Sequence, residues 1–538
     1  MNPGKTTGAF FMLAVFFRIL YIFLYPPAGT DHQLIHAAVD NLLSGNGLSF
    51  TTANPNDLSS ILYQPMNEWP PLVAYLVSFA KAITGSGTAA DLLLMSIGMF
   101  LLLIILRSIF QLMQIGAKTQ VLLWILIAAN PDPFAHLGIS DLYSALFMLW
   151  GVLFSLRFLQ MPYATKAQIF IASIFFFLPA AFRYQYYPLI FIFPLFLLFT
   201  GWWKQQKHLY QSGWLSLSVV FCLLSFQVAM LYQETGSAAY IADEKGFYLQ
   251  NLQWAYPFLA KSFLNISYIE NKLLLIGKWT LVPYYLSIFT LSIALLAYCF
   301  VRVVRKAQNR FWNFEEERSS LLISKLFLLS IIISILTLLV FLSVLYSPQL
   351  NYGSVFTYMR EDRYFIVCSL LLLVYFGKLV DNLQFIKAPS FTAIKRFTVA
   401  SVLIVNLTLF GKFLFNAATN NLKDLHQISL AEKKIIETEI DELKKKYNLP
   451  VVAVSSMKLL QYNPSAGEYS VAKTLKQIND TGLRTSQTVQ LVLVTQPQLK
   501  EDEAFFVQTK GAKEVFKNGR LRIFHLIVPQ HSSIASLY

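Results

Sequence analysis

Residues Leu92–Met113 read LLLMSIGMFLLLIILRSIFQLM, and the nature of that run decides what kind of fold the chain has. A hydrocarbon core about 30 Å thick takes roughly 20 apolar helical residues to cross, and Arg107 is the only charge in the run. Working outward, similar runs occupy residues 9–25 before it and 121–136, 141–160, 169–182, 189–203, 215–232, 281–301, 321–346, 364–380 and 397–415 after it. Together they predict about eleven membrane-spanning helices in an all-α polytopic fold. Residues 71–83 are apolar but too short to cross upright, and Lys81 lies among them. They predict a helix lying at the interface or re-entering it. The composition agrees: of 538 residues 56% are apolar and 13% charged, and mean hydropathy is +0.52. A purely soluble enzyme, a disordered chain and a disulfide-stapled scaffold are thereby excluded. Cys222, Cys299 and Cys368 each sit in an apolar stretch and read as small hydrophobes.

The net charge of +14 admits nucleic acid, anionic lipid or membrane topology as its cause. Placement decides. With the N-terminus inside, each inner loop is basic: Lys5, Lys118, Arg157 with Lys166, Lys204 with Lys207, the cluster from Arg302 to Arg318, and Lys387 with Lys395 and Arg396. The outer loops hold Asp31, Asp40, Asp57, Glu68 and Asp132 instead. The excess charge is therefore a topology signal, which argues for membrane lipid as a partner and against nucleic acid. The expected location is a bacterial inner membrane, with the N-terminus cytoplasmic. Residues 1–415 form the expected membrane domain. From residue 416 the character changes, with 16 Lys and Arg against 12 Asp and Glu. An amphipathic pattern at 430–447 and strand-like runs at 451–454, 489–494 and 521–528 predict a small soluble α/β domain over 416–538 on the outer, periplasmic side.

Ionisable residues at a membrane boundary are costly unless they serve a purpose. The first outer loop opens Gly29-Thr30-Asp31-His32-Gln33-Leu34-Ile35-His36 and predicts an amphipathic juxtamembrane helix, running on to Leu42-Leu43-Ser44-Gly45-Asn46-Gly47. Asp31 stands where a helix cap would, and Glu68 stands before Trp69-Pro70-Pro71, where a carboxylate complements a helix dipole. These residues, with Asn130-Pro131, Ser140-Asp141-Leu142-Tyr143, Ala181-Phe182-Arg183-Tyr184 and Arg363-Tyr364-Phe365 in that order, resemble the GT-C superfamily of polytopic glycosyltransferases. The likeness is to the bacterial branch similar to protein O-mannosyltransferases and the lipid A aminoarabinose transferase.

The resemblance implies transfer of a sugar from a polyprenyl-phosphate donor to an envelope acceptor at the outer face, with inversion at the anomeric carbon. It implies Asp31 as general base. Glu68 and Asp141 would orient hydroxyls, Arg183 would hold the leaving phosphate, and Arg360, Arg363 and His32 would line the substrate site. The residue types fit that task, because a guanidinium binds phosphate in a bidentate way and a carboxylate takes a proton from an attacking hydroxyl. Simpler roles stay open: Arg183 snorkelling at a span end, and Arg360 and Arg363 pairing with Glu361 and Asp362. Many relatives carry an acidic residue where this chain has His32, so a divalent metal stays open; His32 and His36 have a spacing that suits zinc. The outer loop 233–279 is long enough to cover a lateral entrance. The sugar is unspecified, as is the lipid, glycan or protein acceptor. The alternative is a transporter or flippase of lipid-linked substrates, which would place its charges nearer the bilayer midplane.

Overall fold

Apolar runs bounded by polar turns become helices, since a helix satisfies its own backbone groups where lipid offers no hydrogen bonds. A computed structural model describes residues 3–24, 30–54, 57–67, 69–130, 134, 137–160, 165–236, 319–345, 362–383, 404, 406–408, 411, 430–455, 467–470, 486–495, 511–518 and 521–531. The expected span at 281–301 and nearly all of the 233–279 loop lie outside these residues, as do Glu68 and Arg360. Two compact units emerge: residues 1–26 with 92–421, and residues 27–91 with 422–538.

The first unit is helical. It contains α1 (Pro3–Leu24) and most of α4 (Gly87–Leu112), then α5 (Ala117–Ala129), α6 (Ile139–Gln160), α7 (Lys166–Phe182), α8 (Ile192–Trp203), α9 (Lys207–Thr235), α10 (Ser319–Leu345) and α11 (Ile366–Leu383). Among the described residues six helices are long and apolar enough to cross a membrane, so the protein is multi-pass.

Local chemistry sets the helix ends. Thr165 and Gln168 form a reciprocal capping box at the start of α7. Helix α5 is capped from its neighbours: Gly116 N donates to Asp381 Oδ2 at 2.6 Å, and the Thr119 hydroxyl donates to the same carboxylate. At the other end Arg18 of α1 donates to Ala128 O at 2.6 Å and to Asn130 O at 3.4 Å. An anion at the N-terminus and a cation at the C-terminus complement the helix dipole and satisfy end groups that α5 cannot pair internally. Helices α8 and α9 touch through glycine. A Cβ on Gly201 would stand 2.5 Å from Tyr210 N, and one on Gly213 would stand 2.7 Å from Leu198.

The second unit joins the first loop to the C-terminal residues. It holds α2 (Thr30–Leu43), the antiparallel strands β1 (Ser49–Asn54) and β2 (Asp57–Pro65), and α3 (Leu72–Thr84). Its C-terminal part has α12 (Leu430–Tyr447) and strands β3 (Val451–Ser455), β4 (Gly467–Ser470), β5 (Val489–Thr495), β6 (Lys513–Asn518) and β7 (Leu521–Val528). The sheet order is β4-β3-β5-β7-β6, parallel around β3 and antiparallel around β7. Ile436, Ile440 and Leu443 of α12 lie on one helical face and pack on Val451, Val492, Val494 and Ile523. Helix α3 has two apolar faces: Val73, Ala74, Val77 and Ala80 are buried, while Phe79 and Ile83 are 67% and 65% exposed.

Candidate functional site

The residues singled out by sequence separate into those the structure brings together and those it leaves undescribed. Asp31 and His32 lie in the first turn of α2, and their side chains fall outside the described residues, as Glu68 and Arg360 do entirely. Asp141, Arg183 and Arg363 converge within the first unit.

Asp141 sits in the first turn of α6, where an acidic side chain complements the helix dipole, and Gly138 N donates to its Oδ2 at 3.2 Å. Arg183 follows the last residue of α7. Its extended backbone (φ −148°) ends the helix, and a short 3-10 turn, Tyr184–Tyr186, leads to Tyr187-Pro188. Stacked rings hold α6 on α7, with Phe147 and Phe182 5.5 Å apart and Trp150 and Phe175 4.8 Å apart. Ser144 adds a buried bond of 3.3 Å to Pro179 O.

That packing sets Arg183 Nη2 2.5 Å from Asp141 Oδ1. Arg363, in the 3-10 turn Asp362–Phe365 before α11, places Nη1 4.0 Å from Asp141 Oδ2. Both guanidinium groups lie by the Tyr364 ring, at 5.6 Å for Arg183 and 5.1 Å for Arg363. Two permanent cations thus share one buried carboxylate. Taken by themselves these three side chains sum to a formal charge of +1, and guanidinium groups are suited to binding an anion.

In the second unit His36 Nε2 is 2.8 Å from both carboxylate oxygens of Asp91. Among the described residues no three His, Cys, Asp or Glu side chains group to hold a metal ion. Asp40 of α2 pairs with Lys81 of α3.

Three residues absent from those singled out by sequence emerge as structurally prominent. Arg18 is buried within an apolar helix and spends its donors on the end of α5. It is the one charge inside the 9–25 run, and a charge in a span is a usable signal in itself. Asp91 and Ser486 carried no such signal, because each matters through a partner distant in sequence.

No family model and no curated protein matches the chain. Its fold, a mostly helical membrane protein with several candidate spans and a strand-containing C-terminal part, is nevertheless similar to that of solved ArnT and AglB structures. Solved structures carry that conclusion. ArnT from Cupriavidus metallidurans bound to undecaprenyl phosphate aligns with a TM-score of 0.55 at 12% identity, over 98% of this chain and 98% of that one. The apo state of the same ArnT gives 0.53 at 13% identity, over 100% and 99%. The archaeal oligosaccharyltransferase AglB from Archaeoglobus fulgidus, in complex with an inhibitory peptide and a dolichol-phosphate, gives 0.51 at 12% identity, over 99% of this chain and 76% of that one.

Proposed function

We propose that the protein is an inverting glycosyltransferase that moves a sugar from a polyprenyl-phosphate carrier to an envelope acceptor at the outer face of the membrane. The observation that carries this reading is the Asp141–Arg183–Arg363 cluster, with two guanidinium groups to one carboxylate. The fold adds weight, since similar structures hold undecaprenyl phosphate and a dolichol-phosphate.

The acceptor oxygen attacks the anomeric carbon as the bond from that carbon to phosphate oxygen breaks. The electron pair leaves with the polyprenyl phosphate, and the acceptor proton passes to the Asp31 carboxylate. Arg183 and Arg363 hold the phosphate and stabilise the charge that develops on it. Asp141 pairs with Arg183 and lies within ion-pair reach of Arg363. Glu68, His32 and Arg360 complete the substrate site in this reading, about eleven helices span the bilayer, and the C-terminal unit faces the periplasm. A divalent metal has no assigned ligands here, and no step uses one.

The deciding assay incubates purified protein with a panel of polyprenyl-phosphate sugars and envelope acceptors, with products read by mass. Transfer by wild type and its loss in Asp31→Asn, with membrane insertion intact, are the expected results. Transfer by Asp31→Asn at the wild-type rate would remove Asp31 from the role, and no transfer from any donor would sink the enzyme reading.

A further inference from the structure

Asp57 opens β2 and is tied to a residue 429 positions away. Its carboxylate accepts from Ser59 N at 3.0 Å, Ser59 Oγ at 2.7 Å, Ser486 N at 2.9 Å and Ser486 Oγ at 2.5 Å. The two serine hydroxyls are themselves 2.9 Å apart. Four donors on one carboxylate are more than a turn needs, and those to an ionised acceptor are the strong kind. Burial alone would raise the Asp57 carboxyl, but the bonds from Ser486 and then Ser59 overcome it and hold the group well below the usual carboxylate range.

The grip has a path onward. Strand β2 pairs with β1 from Ser49↔Pro65 to Ala53↔Ile61, and β1 packs against β4 of the C-terminal sheet. Asn41, in the last turn of α2, donates to Ser49 O at 2.8 Å, and both residues are buried. Along α2, Ile35, Ala37, Ala38 and Val39 are buried, and His36 and Asp40 are paired with Asp91 and Lys81. A continuous run of bonds and packing therefore leads from Ser486 through the hairpin to the helix whose first turn carries Asp31.

We propose that Asp57 is a positioning residue: by clasping Ser486 it makes the C-terminal sheet a brace for α2, which holds Asp31 in place for proton transfer. This rests on the reading of Asp31 as general base. The brace itself is a separate, measurable property of the fold.

The test uses the full-length protein in lipid nanodiscs. In Asp57→Ala, amide hydrogen exchange across residues 30–43 should quicken by on the order of tenfold, as expected when charge-assisted hydrogen bonds are lost. Turnover should fall by about the same factor while the KM for a polyprenyl-phosphate sugar shifts by less than about twofold, the pattern of a misplaced base with donor binding spared. Ser486→Ala, which keeps the carboxylate, should move both in the same direction by less. The reversing variant adds Ser59→Cys and Ser486→Cys to Asp57→Ala: oxidation should slow exchange in α2 and restore turnover, and dithiothreitol should undo both. Unchanged exchange at 30–43 in Asp57→Ala overturns the brace. Faster exchange with unaltered turnover overturns the positioning role. Should wild type transfer no sugar at all, the enzyme reading fails, whereas the exchange response still decides whether the brace exists.

Discussion

Removing one partner of a buried ion pair costs about 3 to 5 kcal/mol, because the remaining charge stays buried without compensation. Asp141 is buried and serves two guanidinium groups, so Asp141→Asn takes their shared carboxylate from two cations that both lie by the Tyr364 ring. The variant should be destabilised by roughly that amount. Adding Arg363→Gln to Asp141→Asn returns the cluster to its original formal charge of about +1, so the double variant should unfold at a higher temperature than Asp141→Asn alone. Thermal unfolding in detergent checks the order; a double variant less stable than the single one would mean that packing and not charge governs the cluster. On donor use, Arg183→Ala should weaken binding of the polyprenyl-phosphate sugar more than that of the acceptor. Equal donor affinity in a direct binding measurement refutes the phosphate role of Arg183. Arg183→Lys should recover only part of the loss, since an ammonium cannot reproduce the planar fork.

Helices define the next scale, and α3 makes the clearest case. At 13 residues it is about 20 Å long, short of a 30 Å core, and its exposed stripe of Tyr75, Phe79 and Ile83 repeats every fourth residue. The stripe should lie in the lipid boundary. A nitroxide on Phe79→Cys should then collide more with dissolved oxygen than with an aqueous nickel chelate in power-saturation measurements, and the reverse ratio would put the stripe in water. Close packing at Gly201 gives a second expectation. Because a Cβ there meets the Tyr210 backbone and not a movable side-chain tip, Gly201→Ala should destabilise the α8–α9 pair by about 1 to 3 kcal/mol, read by denaturant titration. Elements of this kind were legible in sequence because period and length are local properties. The α12 pattern at 430–447 and the strand runs at 451–454, 489–494 and 521–528 all appear as elements. The hairpin at 49–65 did not stand out, although Phe50, Thr51 and Thr52 and then Ile61, Leu62 and Tyr63 flank Asn54-Pro55-Asn56-Asp57, a turn signal between strand formers. Strand β4 was also not anticipated; its pairing with β3 depends on residues well separated in the chain. In the candidate site the carboxylate and guanidinium types could be read from the sequence. That Asp141, Arg183 and Arg363 meet could not, since the fold alone joins the first turn of α6, the end of α7 and the turn before α11.

Across the whole molecule, the grouping of residues 27–91 with 422–538 makes the first loop and the tail one unit, and pH should act on that unit in two separate windows. His525 is buried, with Nε2 3.0 Å from Gln490 Oε1 and its ring stacked 5.0 Å from Tyr447. Desolvation, and then the charges of Lys446 and Lys513, lower its pKa. A lowered histidine favours the neutral form in the folded state, so its contribution is complete above the unfolded value of about 6.5 and is lost as pH falls below it, because the unfolded chain takes up the proton first. Asp57 is also lowered, and its contribution is complete above the unfolded carboxylate value of about 3.9, so it is lost only at more acidic pH. Between about pH 6.5 and 4 the histidine alone of these two groups should weaken the unit, with the Asp57 clasp still ionised. Limited proteolysis of residues 422–538 in the full-length protein should therefore quicken from pH 7.5 to pH 5. In His525→Gln, which keeps a hydrogen-bonding side chain without a proton to gain, that increase should flatten, while Asp57→Asn should show it undiminished. An equal increase in His525→Gln would assign the weakening to another group, and loss of the increase in Asp57→Asn would mean that the two windows are one.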